Sequence, residues 1–203
     1  SVYSDPTQGA GGVGTTTTTP PATSAGTVTV SLAADTPSGS FAVDGAARAK
    51  FTKLNFTASG GDVTVKSFKV KRSGSPAING DFDKINVIDA TGNLLNDAGK
   101  TLNSDNEVTF TEDLVIPNGQ TKTWTIVADM ASAVLGGNLP TLGLLSMDTD
   151  AAVVGTLPMY GNPVTTNTNV TLGTVTLAQG TSLGNVTKQV GSNDVDIASL
   201  KIT

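Results

Sequence analysis

The chain of 203 residues has no cysteine and no histidine, and each absence closes a class of function. Without cysteine there are no disulfides, thiolate metal sites or thiol nucleophiles. Without histidine the commonest general base and zinc ligand are gone, which excludes most catalytic triads and zinc sites. Charged residues make up only 14 % of the chain, against about 25 % in ordinary soluble domains. The net charge of −5 gives no general reason to bind nucleic acid or an anionic membrane. Aromatic residues are 4 % of the total, so stacking platforms for sugars are scarce. No apolar run approaches the roughly 20 residues of a membrane-spanning helix, and the opening SVYSDP lacks a signal-peptide pattern. The chain is read as a non-enzyme.

What is abundant is Gly, Thr, Ser, Asn and Val, the composition of β-proteins with uncharged polar faces. Residues 1–26, with a Gly-rich half running into TTTTTPP, contain almost nothing to bury and are expected to form an extended tail. From Thr27 onward the apolar period is two. The pattern predicts strands at Thr27–Leu32, Phe41–Val43, Arg48–Ala58, Asp62–Arg72, Phe82–Asp89, Glu107–Phe110, Leu114–Ile116, Thr121–Asp129, Thr141–Asp148 and Asn169–Ala178. Turn signals such as Ser59-Gly60-Gly61 and Pro117-Asn118-Gly119 separate them, and only Met130–Leu135 could form a turn of helix. Short, evenly spaced strands imply an all-β fold, an immunoglobulin-like two-sheet β-sandwich over residues 27–173. Its expected core is Val28, Val30, Phe51, Leu54, Phe56, Val63, Val65, Phe68, Val70, Ile85, Val87, Val108, Phe110, Ile116, Trp124, Ile126 and Leu144.

The chain also repeats itself. The stretch beginning TVTVSLAAD at Thr27 reappears as TVTLAQGTS at Thr174, and after a one-residue slip Phe51, Leu54, Phe56 and Thr57 align with Ile197, Leu200, Ile202 and Thr203. Both copies skip an extra residue between Phe51 and Leu54, or Ile197 and Leu200, where strict alternation would not, as a β-bulge requires. Residues 174–203 are therefore expected to be the first strands of a second, incomplete repeat, completed by another chain or by continuing sequence.

The order of AADTPSGSFAVDGAARAKFTKLNFTASGGDVTVKSFKVKRSG, FDKINVIDATGN and EVTFTEDLVIPNGQTKTWTIVADM resembles tandem immunoglobulin-like repeats of large secreted bacterial surface proteins. That resemblance implies an extracellular, cell-surface stalk, fibre or surface-layer protein, and it brings no site residues with it.

Candidate sites follow from placement. Val195, Ile197, Leu200 and Ile202 form an apolar strand face with Asp194 and Asp196 beside it, expected to be an assembly interface. Arg48, Lys50, Lys53, Lys66, Lys69, Lys71 and Arg72 crowd into two consecutive strands and are expected to make one basic face that docks an acidic neighbour or an anionic cell-wall polymer. No cofactor is expected. Asp81 and Asp83, with Asp89, and the pair Asp148 and Asp150 are the only carboxylate groupings suggestive of calcium, and neither has the spacing of a known loop. The functional expectation is a structural subunit or repeat segment of an extracellular fibre or surface layer, self-associating by β-strand addition. The alternative is an adhesin stalk that binds a surface glycan or cell-wall polymer. Neither reading involves nucleic acid or a membrane span.

Overall fold

A computed structural model describes residues 26–78, 80–96, 98–170, 172, 173, 175–181, 190 and 199–203. The expected tail lies almost wholly outside the described residues, as do Asp194, Val195, Asp196 and Ile197. Among the described residues there is no helix. The strands are β1 (Thr27–Leu32), β2 (Phe41–Val43), β3 (Ala49–Ser59), β4 (Val63–Ser75), β5 (Phe82–Ile88), β6 (Glu107–Ile116), β7 (Thr121–Met130), β8 (Leu139–Thr149), β9 (Ala152–Val154), β10 (Met159–Tyr160), β11 (Thr165–Asn167), β12 (Leu177–Gln179) and β13 (Leu200–Ile202).

They assemble into a five-stranded sheet ordered β5-β7-β3-β1-β9 and a four-stranded sheet ordered β10-β8-β4-β6, with two small pairs, β11-β2 and β12-β13. The two large sheets pack face to face because alternate residues on both are apolar and must leave water. Four aromatic rings mark the seam. Trp124 and Phe56, from neighbouring strands of the larger sheet, lie 4.2 Å apart at their centroids; Trp124 then meets Phe68 of the smaller sheet at 5.6 Å, and Phe68 stacks on Phe110 at 5.2 Å. Such pairs contribute about 0.5–1.5 kcal/mol each beyond the area they bury. Every residue of the expected core is buried, joined by Phe82, Met130, Val134, Leu142 and Val164. Among the described residues the core cluster falls between Val28 and Val164.

The irregularity expected in the third strand is present. The register between β3 and β7 shifts between Lys50 and Thr52, and Phe51 and Thr52 are both buried as neighbours. Thr52 can point inward because its hydroxyl donates to the Leu142 carbonyl and accepts from the Gly161 N–H at 2.9 Å.

Several expectations need correction. The two strands expected to share one basic face do not lie in one sheet: β3 belongs to the larger sheet and β4 to the smaller, so the turn at Ser59-Gly60-Gly61 carries the chain from one sheet to the other. Glu107–Phe110 and Leu114–Ile116 are one strand, β6, whose register against β4 shifts between Val65 and Ser67. Met130–Leu135 is the end of β7 followed by a turn. Of the strand expected over Asn169–Ala178, only Leu177 and Ala178 lie in a strand, β12, among the described residues. The short strands β9 and β11 pair in parallel with β1 and β2.

Candidate functional site

The seven basic residues do not share a face. Arg48, Lys50 and Lys53 lie at or on β3, whereas Lys66, Lys69, Lys71 and Arg72 lie on β4 in the opposite sheet. Arg48 precedes β3 in the left-handed region, φ 53°, and its backbone N–H is held by Asp129 Oδ1 at 2.8 Å. Lys53 is paired with Asp35. On the smaller sheet Glu107 sits between Lys71 at 2.9 Å and Lys69 at 3.2 Å, and those bonds hold its carboxyl below the ordinary glutamate range. Lys50 and Lys66 are exposed.

Arg72 departs furthest from the expectation. Its side chain is 0 % exposed and its Nη2 donates to Asp81 Oδ2 at 2.8 Å, while Nη1 reaches the Gly74 carbonyl at 3.0 Å. Asn138 completes the cluster, donating from Nδ2 to Asp81 Oδ1 at 2.7 Å. A buried charge needs a partner of opposite sign and hydrogen bonds for its remaining donors, and this arrangement supplies both to the guanidinium's terminal nitrogens. Arg72 is therefore an internal tie and not part of a basic surface. The signal was in the alternation itself: Phe68, Val70 and Arg72 point the same way along β4.

The acidic candidates are likewise occupied or apart. Both oxygens of Asp81 are taken up by Arg72 and Asn138. Asp89 closes its own turn, accepting from the Thr91 hydroxyl at 2.7 Å, the Thr91 N–H at 2.8 Å and the Asn93 N–H at 3.0 Å, which holds its carboxyl below the usual range. Asp150 accepts from the Thr64 N–H at 2.8 Å and is lowered for that reason first. Asp83 and Asp148 are exposed. Among the described residues no three acidic side chains converge on a point.

The arrangement with a geometric rationale is the C-terminal strand pair. In the sandwich, β1 and β3 pair with Val30 opposite Phe56, Ser31 opposite Asn55 and Leu32 opposite Leu54. In the C-terminal pair, Leu177 lies opposite Ile202, Ala178 opposite Lys201 and Gln179 opposite Leu200. These are the residues that the sequence alignment makes equivalent, in the same register. The flanking hydrogen bond repeats as well: Ala33 N–H to the Lys53 carbonyl at 2.9 Å in the first copy, Gly180 N–H to the Ser199 carbonyl at 2.7 Å in the second.

Burial separates the two copies. Val28, Val30, Leu54 and Phe56 are 0–3 % exposed, whereas their counterparts Val175, Leu177, Leu200 and Ile202 are 72, 66, 74 and 70 % exposed. In the first copy β7 pairs along the far edge of β3 and the smaller sheet covers its face. Among the described residues nothing takes either place on β13. Leu200 and Ile202, two of the six residues assigned to the expected interface, are exposed, and the other four lie outside the described residues.

A shallow depression on the sandwich is lined by Asp89, Thr91, Thr121, Lys122, Thr123 and Trp124, but the indole contributes little to it, being 5 % exposed. No family model, no curated protein and no solved structure matches this chain.

Proposed function

We propose that the chain is a structural subunit or repeat segment of an extracellular bacterial fibre or surface layer, in which a closed immunoglobulin-like sandwich is a rigid body and residues 174–203 are the joint. The observation that carries this reading is the C-terminal strand pair, which reproduces the β1–β3 register at three successive residue pairs and yet leaves its apolar side chains exposed. Val175, Leu177, Leu200 and Ile202 are large apolar side chains exposed together at this pair, and clustered exposed apolar groups mark interaction sites. Pairing an added strand to an open edge supplies main-chain hydrogen bonds together with pockets for alternate side chains. The low charge, with the resemblance to secreted surface repeats, supports the extracellular setting.

The mechanism is mechanical. The sandwich holds its shape through one core, and the open pair recruits the strand that a whole module would supply from within. An adhesin that binds glycan through its loops has weaker support, because the one tryptophan is committed to the core.

The test is the mass in solution, by light scattering, of the full chain and of a chain ending at Gly173. The full chain is expected to associate in a concentration-dependent way and the shortened chain to be a folded monomer. Equal association of the two places the joint elsewhere.

A further inference from the structure

We propose that the free edge of β13 accepts one kind of occupant: an extended strand of β7 chemistry, docked antiparallel, with an aromatic residue opposite Leu200 and a hydroxyl or carboxylate opposite Lys201. This rests on the assembly reading and deepens it by naming the partner's chemistry and register.

The direction of the edge comes from the ladder. Thr203 exchanges both backbone hydrogen bonds with Thr176, at 2.9 and 3.1 Å, and the Ser199 carbonyl faces Gly180. Because polar groups alternate sides in an antiparallel ladder, the N–H and C=O of Leu200 and Ile202 face the opposite edge. The same alternation holds in the sandwich, where the equivalent edge of β3 is filled by β7 with Leu54 opposite Trp124, Asn55 opposite Thr123, Phe56 opposite Lys122 and Thr57 opposite Thr121. The β3–β7 contact is therefore an interface already built in this molecule, and among the described residues nothing fills its counterpart on β13.

Apolar fit follows from position. Trp124 beside Leu54 and Phe56 lies at the centre of the sandwich seam. An aromatic at the same register on an incoming strand would cover Leu200 and Ile202, the two exposed apolar side chains of β13. One polar position differs between the copies and sets a preference. Asn55 Oδ1 accepts from the Thr123 hydroxyl at 2.8 Å, whereas Lys201 stands at that place in the second copy and can only donate. A hydroxyl opposite Lys201 still accepts a bond, and a carboxylate adds charge complementarity.

A peptide of residues 119–130, GQTKTWTIVADM, serves as the probe for the full-length chain. Affinity is read by calorimetry and the site by hydrogen exchange at the Leu200 and Ile202 amides. Binding is expected with slowed exchange at those two amides. Trp124→Asp in the peptide is expected to weaken it at least tenfold, roughly the loss for exposing one large side chain. Thr123→Glu in the peptide is expected to tighten it, with the gain lost near 1 M salt, where screening acts within about 3 Å. The full chain carrying Leu200→Asp and Ile202→Asp is expected not to bind, with an unchanged sandwich melting transition.

The proposal is overturned if the peptide does not bind, if protection appears elsewhere, or if the aspartate peptide binds as well as the parent. It is also overturned if the Leu200 and Ile202 amides are protected in the self-associated chain and the peptide fails to displace that contact, because a second copy's face then covers them. Should the peptide fail while the full chain associates and the chain ending at Gly173 does not, this inference falls and the assembly reading stands.

Discussion

Replacing Asp81 with alanine isolates the energetic role of the buried ion pair. The substitution removes the acceptor of Arg72 Nη2, in a side chain 0 % exposed, and strips Asn138 Nδ2 of its 2.7 Å bond. An uncompensated buried charge of this kind costs about 3–5 kcal/mol. For a domain of this size roughly 3 °C of melting temperature corresponds to each kcal/mol, so a fall of about 9–15 °C is expected. Arg72→Met alone leaves a carboxylate with one donor and also destabilises. The double variant removes both charges, and its loss is expected to fall short of the summed single losses by about 0.5–3 kcal/mol. Urea denaturation followed by Trp124 fluorescence measures all four species of the cycle. A loss under about 1 kcal/mol for Asp81→Ala, or strict additivity, would mean that water reaches these groups and that the pair is not the internal tie described above.

Gly74 has φ 98°, and a Cβ there would collide with the Leu139 carbonyl across the β4–β8 ladder, so Gly74→Ala is expected to lower the unfolding free energy by about 3 kcal/mol or more, read from the urea midpoint. Glu107 is held below its ordinary pKa by Lys71 and then Lys69, so its contribution to stability is present above the unfolded-state value near 4.3 and is lost as pH falls through the depressed folded value; Glu107→Gln is expected to flatten that part of the acid limb in melts between about pH 5 and 2. Residues 1–20 hold almost nothing apolar to bury, so deleting them is expected to shift the calorimetric melting temperature by less than about 5 °C.

The period-two pattern was enough to place the core, because each inward residue of a strand is fixed by its neighbours two positions away. The bulge at Phe51 was legible for the same reason: Phe51 and Leu54 are both apolar and out of phase. The repeat made the register of the C-terminal pair readable before any geometry. What local pattern does not contain is which sheet a strand joins. β3 and β4 are adjacent in sequence and lie in opposite sheets, so basic residues counted together on the chain are separated by the core. Arg72 is the converse case, a charged residue whose place in the alternation points inward although its partner Asp81 lies in a turn outside β4. The short strands β9 and β11 owe their existence to distant parallel partners and carry too few residues to show a period. Val170, Leu172, Val175 and Leu177 supply strand-like residues, but only Leu177 has a neighbour to pair with among the described residues.

Thr52 is a rivet between the sheets: from the bulge of β3 its hydroxyl binds the Leu142 carbonyl of β8 and the Gly161 N–H after β10. In the second copy the aligned residue is Ala198. Buried hydrogen bonds contribute about 0.5–1.5 kcal/mol each, so a unit completed around residues 174–203 would close without a fastening that the first unit has. In an array of such units, wear would concentrate at the unriveted seams. Subunits could part and rejoin there, leaving each sandwich intact to be used again.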